Sequence, residues 1–259
     1  MTPPPRGGDD LCRFHVPAHS HTVAATGSAS HRTMEVLYED NHIIIVNKAP
    51  GEIVQGDKTG DATLADAVKA YIKQKYAKPG QVFLGVAHRL DRPVSGAVVF
   101  ARTSKALARL NDMFREGSVQ KTYHAIVCAP PPAPQATLTH WLTRNERQNK
   151  AYAHQREVAG AKKAVLDYTL IGRSTRYSLL AVQLHTGRHH QIRCQLAAIG
   201  CCIKGDLKYG APRSNPDGSI SLHARRVAFE HPVSHQPISI EAPYPESQPL
   251  WQLMQPLDH

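Results

Sequence analysis

The chain has 259 residues, of which 41% are hydrophobic and 20% charged, and its mean hydropathy is −0.38. This is the composition of a globular protein that can bury its own core, in one large domain or two small ones. No apolar run approaches the roughly 20 residues of a membrane span, no secretory signal opens the chain, and the five cysteines show no CxxC spacing, so a reducing cytoplasm is the expected compartment. The formal net charge of +10 is compatible with a nucleic-acid partner and equally with an unrelated basic enzyme.

Residues 1–33 differ in composition from the rest of the chain. They are rich in proline, glycine, serine, threonine and histidine and show no apolar periodicity, which predicts a disordered leader. Met34 opens the first convincing strand and is a candidate for the biological start of the protein. The remaining residues, 34–259, are expected to form a single domain.

Apolar periodicity and turn residues predict the elements of the first half of this domain. The predicted strands cover residues 35–38, 42–48, 82–87, 96–101 and 119–128, and the predicted helices cover residues 63–76 and 103–116. Residues 88–95 are polar and contain Pro93, so they are expected to form a loop between two apolar strands. Thr63 is a candidate helix cap, and Gly117 is a candidate helix stop.

The second half begins with the run APPPAP at residues 129–134, which is expected to be an exposed connection because proline donates no backbone hydrogen bond. The residues from 144 to 163 are polar and basic. Beyond them the pattern predicts strands at 164–171, 177–184, 220–229 and 238–241 and a helix at 189–199. Because strands outnumber helices and arrive in adjacent pairs, the chain is predicted to be α+β, with a largely antiparallel mixed sheet flanked by helices.

The segment from His88 to Gly96, with the sequence HRLDRPVSG, is the most informative one. It places the carboxylate of Asp91 among cations on a loop between two apolar strands, a location where reactive groups are often found. A solvated Asp–Arg pair in a surface turn is the simpler explanation when this segment is taken alone.

Two further segments combine cations with groups that could bind a ligand. The segment from Thr186 to Arg193, TGRHHQIR, joins a strand to a helix, and arginines at a helix start oppose the macrodipole. That local cost indicates a role such as meeting an anion, although a basic protein can also carry such a terminus without one. In the third segment, Lys121 and Tyr123 share a strand, and Tyr123 taken alone is more simply a core residue.

In this order, the three segments resemble the motifs of the RluA-type pseudouridine synthases, and the resemblance covers nearly all of residues 34–245. HRLDRPVSG is similar to the catalytic motif HRLDxxxSG, KTYHAIV to the tyrosine-bearing strand, and TGRHHQIRCQLAAIG to TGRxHQIRxHLAxxG. NKAPGEIVQ, GDLKYG at residues 205–210 and LHARRVAFEHP also resemble family motifs. Several motifs in one order are far more specific than any of them alone.

The resemblance implies the pseudouridine synthase fold and the isomerisation of uridine to pseudouridine within RNA. Uracil must leave C1′ through N1 and return through C5, so the reaction is a glycosidic cleavage in which the departing base is retained. Glycosidases generally use two carboxylates, but one can suffice here because uracil is already a fair leaving group. The reaction needs neither redox chemistry nor a metal, so no cofactor and no metal are expected, and the cysteines are expected to serve core packing.

By this match Asp91 is the catalytic carboxylate, which either attacks the sugar or removes a proton from it. Arg193 corresponds to the arginine that pairs with this aspartate, since a nearby cation favours the ionised carboxylate. Tyr123 corresponds to the tyrosine that packs against the target uracil and assists proton transfer, and such stacking contributes about 1–3 kcal/mol per base. The target uridine must be flipped out of the RNA stack to reach these groups.

Further residues are expected to contact the RNA. Arg89 matches the family arginine that reorganises RNA around the flipped nucleotide, and His88, Leu90 and Ile192 are expected to wall the pocket. The candidates for gripping phosphates are the basic segment 144–163, Arg188, Arg225 and Arg226.

Two departures from the family pattern leave the subfamily and the target open. Gln195 replaces the histidine of the IRxH pattern, and Gln55 replaces the histidine of the N-terminal motif, but both keep the ability to hydrogen-bond. The segment before Met34 is too short for the S4-like RNA-binding domain of some relatives, so the catalytic domain is expected to hold its RNA alone. The expected partner is a structured RNA, ribosomal or transfer, with no membrane and no obligate protein partner.

Two other classes of function stay open. A catalytically inactive RNA-binding or RNA-folding factor could retain this fold, although a binding module has no need for a carboxylate that faces a polyanion. A carbohydrate or nucleoside hydrolase is disfavoured by the charge of +10 and by the lack of a second carboxylate close to Asp91 in the motifs.

Overall fold

A computed structural model describes residues 21–22, 34–56 and 60–256 of the chain. Its strands are β1 (His21–Thr22), β2 (Glu35–Glu39), β3 (Ile43–Lys48), β4 (Gly85–Val86), β5 (Ser95–Ala101), β6 (Gln120–Val127), β7 (Gln135–Asn145), β8 (Lys150–His154), β9 (Lys162–Arg173), β10 (Ser178–Leu184), β11 (Leu222–Glu230), β12 (Pro237–Glu241) and β13 (Gln255–Pro256). Its helices are α1 (Leu64–Lys75), α2 (Ser104–Glu116), α3 (Gln191–Ala198) and α4 (Leu250–Leu253), with a 3-10 helix at Leu207–Tyr209. No helix within these described ranges is long and apolar enough to cross a membrane.

The thirteen described strands belong to one sheet. Its main path runs β1-β2-β3-β5-β11-β6-β10-β9-β7-β8, with β4 paired to β5, β12 to β11 and β13 to β9. The described strand pairs are antiparallel, except that β5 and β11 run parallel. The prediction of an α+β fold with a largely antiparallel mixed sheet is therefore confirmed.

Capping residues set the ends of the two longer helices. The Thr63 hydroxyl accepts from the backbone N–H of Asp66 at 3.1 Å, and the Asp66 carboxylate accepts from the backbone N–H of Thr63 at 3.4 Å, which completes a capping box. Thr103 caps α2 by accepting from the backbone N–H of Ala106 at 3.2 Å. Gly117 ends α2 with a φ of 78°, a conformation that glycine adopts without strain. The predicted cap and the predicted stop are both confirmed.

The hairpin of β7 and β8 corrects the sequence-based expectation, which places no strand between the proline run and residue 164. Side chains of β7 alternate between buried and exposed, with Leu138, His140 and Leu142 buried. This alternation is hard to recognise in the sequence, because a histidine lies on the inward face and cations follow it. The basic segment 144–163 therefore comprises the end of β7, a turn, β8, a loop and the start of β9.

Other boundaries also change. The strand predicted at 82–87 shortens to β4, where a Cβ at Gly85 would lie 2.7 Å from the Leu107 side chain of α2. The helix predicted at 189–199 starts at Gln191, because His190 has a φ of 52° and leaves the helical path. Within the predicted leader, β1 pairs with β2, and the rest of residues 1–33 lies outside the described residues. Disorder of the leader thus stays a prediction.

Two apolar clusters cover opposite faces of the central strands. Neighbouring side chains on a strand point to opposite faces, so Val98 joins the cluster that α1 covers and Val99 joins the cluster that α2 covers. The first cluster also contains Leu90, Tyr123 and Ile192. The core therefore continues directly beneath the segments that carry the predicted site.

Candidate active site

The loop between β4 and β5, which carries Asp91, is tied down by Lys48 at the end of β3. Lys48 is 1% exposed, and its ammonium donates to the backbone carbonyls of Ala49, Arg92 and Val94 at 3.0, 3.1 and 2.6 Å. Burial lowers the pKa of Lys48 to about 8. Since two of the three carbonyls follow Asp91 closely in the chain, Lys48 fixes the path of this loop from below.

Gly96 explains why the loop motif ends in glycine. Its φ is 115°, and a Cβ there would lie 2.6 Å from the backbone nitrogen of Ala224 on β11. The two backbones approach this closely because the parallel pairing of β5 with β11 places Gly96 opposite Ala224. Next to it, the Ser95 hydroxyl lies 2.8 Å from Nδ1 of the buried His223. The end of the loop that carries Asp91 is therefore held against the central sheet by close packing and hydrogen bonds.

Arg193, near the start of α3, joins two carboxylates. Its Nε and Nη2 donate to Asp206 at 2.7 and 2.8 Å, and its Nη1 donates to Oδ2 of Asp91 at 3.1 Å. The side chains of Arg193 and Asp206 are 6% and 1% exposed, whereas that of Asp91 is 31% exposed. Burial alone lowers the pKa of Arg193, but its contacts with Asp206 and then Asp91 outweigh burial and raise it. The site thus holds one buried ion pair and one accessible carboxylate beside the same cation.

His190 lies beside both Arg193 and Asp91. Nη1 of Arg193 donates to its Nε2 at 3.0 Å, and its Nδ1 lies 2.9 Å from the Tyr209 hydroxyl. A guanidinium cannot accept, so Nε2 is unprotonated, and the proton of the neutral ring sits on Nδ1 and is donated to Tyr209. Burial, followed by the charge of Arg193, lowers the pKa of His190 to about 2. Although its Nε2 lies 3.4 Å from Asp91, His190 is therefore a neutral neighbour of the carboxylate and not its proton donor.

Tyr123 on β6 is 8% exposed and packs in the same apolar cluster as Leu90 and Ile192. Its hydroxyl has no hydrogen-bond partner among the described residues. Burial, followed by the negative charge of Asp91, raises the pKa of Tyr123 well above its ordinary value. The phenol therefore stays protonated at working pH and is available to donate to a group that enters the site.

The loop that precedes α3 is held by side chains of its own motif. Oε1 of Gln191 accepts from the Thr186 hydroxyl at 2.8 Å and from the backbone N–H of Arg188 at 2.9 Å, while its Nε2 donates to the Val165 carbonyl at 3.1 Å. Nε of Arg188 donates to the Lys163 carbonyl at 3.1 Å. The exposed guanidinium of Arg188 is thus anchored at the surface between β9 and α3.

The predicted site residues separate into two groups. Asp91 and Arg193 are in contact, and Tyr123 packs in one cluster with Leu90 and Ile192. The remaining three predicted residues, which are His88, Arg89 and Arg188, do not contact Asp91.

His88 faces the sheet and α2. Its Nε2 accepts from the backbone N–H of Val99 at 2.9 Å, and its ring stacks on Phe114 with centroids 4.6 Å apart. Burial, followed by the charge of Lys121, lowers the pKa of His88 to about 3. Arg89 is exposed and has no hydrogen-bond or ion-pair partner in the described part of the chain. Contact of either residue with RNA stays a prediction.

Three residues of the site escape the sequence reasoning, namely His190, Asp206 and Tyr209. Asp206 and Tyr209 belong to the GDLKYG segment, which resembles a family motif but suggests no role by itself. Gly205 has a φ of 88°, and a Cβ there would lie 2.7 Å from the Ser219 carbonyl oxygen, so only glycine lets Asp206 reach Arg193. The available signal is the predicted pairing of Arg193 with one aspartate, since a guanidinium has donors enough for a second carboxylate.

Asp91, His189 and His190 have side-chain ligand atoms within 4.8 Å of one another, a spacing that would suit a divalent cation. Arg193, however, lies 3.1 Å from Asp91 and 3.0 Å from His190 through the same Nη1 atom. A metal ion would have to displace this guanidinium and would meet its positive charge. These residues therefore do not fit a metal, and no catalytic step is assigned to one.

Neither of the two departures from the family pattern forms a hydrogen bond with Asp91 in the described part of the chain. Gln195 is completely buried, and its Nε2 donates to the carbonyls of Leu138 and Ala164 at 3.2 and 3.3 Å and lies 3.0 Å from Nδ1 of His140. This glutamine therefore ties α3 to β7 and β9. Gln55 is exposed.

Comparison with known proteins identifies the family of the chain. The sequence profile of the RNA pseudouridylate synthase family matches residues 42–198. An uncharacterized RNA pseudouridine synthase of Chlorobaculum parvum is 33% identical over 237 residues, which cover 83% of this chain and 72% of that protein. The ribosomal large subunit pseudouridine synthase D of Zymomonas mobilis is 31% identical over 227 residues, covering 84% and 71%. The tRNA pseudouridine synthase C of Pectobacterium carotovorum is 31% identical over 232 residues, covering 81% and 58%.

Solved structures show the same fold. The human protein RNA Pseudouridylate Synthase Domain Containing 4 aligns with a TM-score of 0.70 and 21% identity over 85% of this chain and 93% of that chain. The prediction of the pseudouridine synthase fold is thereby confirmed. The family profile also spans Asp91, Tyr123 and Arg193. This chain therefore belongs to the RluA-type RNA pseudouridine synthases, the isomerases that convert uridine in RNA to pseudouridine.

Proposed function

We propose that this chain isomerises specific uridines of a ribosomal or transfer RNA and that Asp91 is its catalytic carboxylate. The RNA class follows from the relatives, one of which is named for the ribosomal large subunit and another for tRNA. The observation that carries the role of Asp91 is its position beside Arg193, whose other two donor positions are taken by the buried Asp206. Asp91 is the more exposed of the two carboxylates, at 31% against 1% for Asp206.

The proposed chemistry breaks the bond between C1′ of the ribose and N1 of uracil and then forms a bond between C1′ and C5. The base loses a hydrogen from C5 and gains one at N1, so product and substrate have the same composition. Asp91 either attacks C1′ or removes a proton from the ribose, and in both cases the hydrogen bond from Arg193 orients its carboxylate. Tyr123 stacks on the detached uracil and keeps it close to the sugar until the new bond forms.

Exposed cations around the loop before α3 provide a path for the RNA backbone. Arg144, Lys162 and Arg188 line a cleft of about 250 Å³ that also touches His189, the neighbour of Asp91 in the cluster described above. We assign the phosphates of the RNA to this cleft, since contacts of lysine and arginine with phosphate dominate RNA affinity. Two other candidates have protein partners, because Arg225 pairs with Glu241 and Arg226 donates to Ser239.

Release of tritium from RNA labelled at uracil C5 tests this proposal. Wild type is expected to release tritium and Asp91→Ala to release none while still binding RNA. Asp112→Asn is the matched control, because Asp112 lies on the exposed face of α2 and is 52% exposed. Equal release by wild type and Asp91→Ala would remove Asp91 from the mechanism.

The same assay decides between the enzyme and an inactive RNA-binding factor, since such a factor would bind cellular RNA without releasing tritium from any fraction of it. Mapping of pseudouridines in RNA from cells that lack the gene would then name the modified position. Action in the cytoplasm stays a prediction, which microscopy of the tagged protein checks.

A further inference from the structure

Lys121 on β6 is a cation that pairs with no anion among the described residues. Its side chain is half-buried, and no acceptor or carboxylate in the described part of the chain pairs with its ammonium. The centre of the Phe114 ring lies 5.5 Å from its Nζ. Burial lowers the pKa of Lys121. Among residues 34–56 and 60–256, no carboxylate thus neutralises this partly desolvated positive charge.

Lys48 is a useful comparison, because it is a buried lysine with a purely structural role. The ammonium of Lys48 is buried more deeply, but it donates to three backbone carbonyls. Lys121 has no such set of acceptors, and burial of an unpaired charge disfavours folding. Unpaired titratable groups near a cleft are common at binding sites, which directs attention to what lies around Lys121.

The surroundings of Lys121 belong to both loops of the site. A Cβ added at Gly187, in the loop before α3, would lie 3.9 Å from Nζ of Lys121. His88, in the loop that carries Asp91, stacks on the same Phe114 ring with centroids 4.6 Å apart, and burial followed by the positive charge of Lys121 lowers its pKa. Lys121 therefore lies where these two loops come together.

Lys121 also stands in a defined relation to Tyr123. The two residues are separated by one position on β6, where Tyr123 pairs with Val182 of β10 and Lys121 pairs with Val227 of β11. The register of β11 shifts between Ala224 and Arg226, opposite Tyr123 and Thr122. Residues i and i+2 of a strand share a face and lie roughly 7 Å apart. In a nucleotide, one sugar separates the base from its backbone phosphate. A uracil stacked on Tyr123 therefore places its own phosphate within reach of the Lys121 side chain.

We propose that Lys121 binds the backbone phosphate of the flipped nucleotide. This inference rests on the proposed function, because it takes the target uracil to stack on Tyr123. The phosphate supplies the missing anion, and the ammonium offers it three hydrogen-bond donors. The absent side chain of Gly187 leaves space for the phosphate oxygens beside Nζ.

The first test compares stability with RNA binding in Lys121→Met. Methionine fills a similar volume without a charge, so the thermal midpoint of the free protein is expected to rise or stay constant. Binding of a fluorescently labelled oligouridylate is expected to weaken at low salt. A variant that binds the oligouridylate like wild type, or that unfolds at a lower temperature, would contradict the proposal.

The second test measures how binding of the same oligouridylate depends on salt. The logarithm of the binding constant falls as the logarithm of the salt concentration rises. Removal of one phosphate contact on a single strand lowers the magnitude of this slope by about 0.7. Lys121→Met is expected to show this loss and Lys121→Arg to keep the wild-type slope. Lys105→Met is the control, because Lys105 is exposed on α2 beyond the end of β5 that is distant from Asp91, and its slope is expected to equal that of wild type. An unchanged slope in Lys121→Met overturns the assignment.

These measurements use binding and stability, so they are independent of the tritium assay. A changed slope with no tritium release retains Lys121 as a phosphate site and rejects the isomerase activity. Tritium release with an unchanged slope rejects Lys121 as a phosphate site and retains the isomerase activity.

Discussion

Arg193 and Asp206 form a two-point hydrogen-bonded ion pair, at 2.7 and 2.8 Å, that is almost completely shielded from water. The pair holds the guanidinium in one orientation before any RNA binds, and this orientation points Nη1 at Asp91. A charge that is preorganised in this way needs no rearrangement when the reaction begins. We therefore expect Asp206 to act on the reaction through Arg193, as a positioning residue.

Asp206→Asn is predicted to slow isomerisation by about tenfold or more, because a barrier increase of only about 1.4 kcal/mol has that effect. The neutral amide cannot balance the buried guanidinium, so the free energy of unfolding is expected to fall by about 3 kcal/mol. Single-turnover tritium release and urea unfolding measure the two effects, with Asp112→Asn as the control. RNA affinity is expected to stay close to that of wild type, and a variant with the wild-type rate would show that Asp206 does not position Arg193.

Tyr209→Phe is predicted to lower the free energy of unfolding by about 1–3 kcal/mol, the cost of leaving buried polar groups unpaired. The Tyr209 hydroxyl accepts from the buried backbone N–H of Ala151 at 2.8 Å and is also the partner of His190. The matched control is Tyr152→Phe, since Tyr152 is 39% exposed and its loss of a hydroxyl is expected to change stability by less than about 0.5 kcal/mol. Equal denaturation midpoints for the two variants would refute the role of the Tyr209 hydroxyl.

Gly96→Ala is predicted to destabilise the protein by more than about 4 kcal/mol, because the added methyl group would overlap the Ala224 backbone at a φ of 115°. Gly117→Ala separates the two causes, since Gly117 has a similarly unfavourable φ of 78° but nothing within 4 Å of the added atom. That variant is expected to lose only about 1–2 kcal/mol. Thermal unfolding of both proteins checks the difference, and similar losses would mean that close approach of β11 is unimportant.

Lys48 is predicted to give the protein a rise in stability at alkaline pH. Its pKa is about 8 in the folded protein and 10.5 when unperturbed, so between these values the unfolded chain binds more protons than the folded one. Stability then increases with pH through this window, by about 3 kcal/mol if the full shift is realised. Urea unfolding of wild type and Lys48→Met across this range measures the effect. The methionine variant should lack this component of the rise, and parallel curves would show that Lys48 is not buried as a charge.

Sequence reasoning succeeds where the determinants are local. Thr63 and Gly117 act on backbone groups within a few positions of themselves, so their roles follow from residue type and spacing. The β7 strand is missed because His140 points inward, where it is paired with Gln195 from α3, a partner that is 55 positions away. A polar residue whose partner lies on another element breaks the apolar alternation that identifies a strand.

The same difference between local and long-range determinants applies to the candidate site. The contact of Asp91 with Arg193 joins residues 102 positions apart, and only the family resemblance anticipates it. The sequence does not reveal the importance of Asp206 and Tyr209. They supply hydrogen-bond partners to Arg193 and His190, and these contacts form only when α3 packs in the folded protein. Lys121 is similar, since its sequence neighbours do not reveal that no carboxylate of the described residues pairs with its ammonium.

The order of the strands in the sheet has a consequence for the protein during its synthesis. Asp91 and Tyr123 are made early, but β11, which separates β5 from β6, ends only at Glu230. Until that strand has been made, β5 and β6 lack the partner that joins them in the sheet. The sheet that holds Asp91 and Tyr123 is therefore completed only after Glu230 has been made.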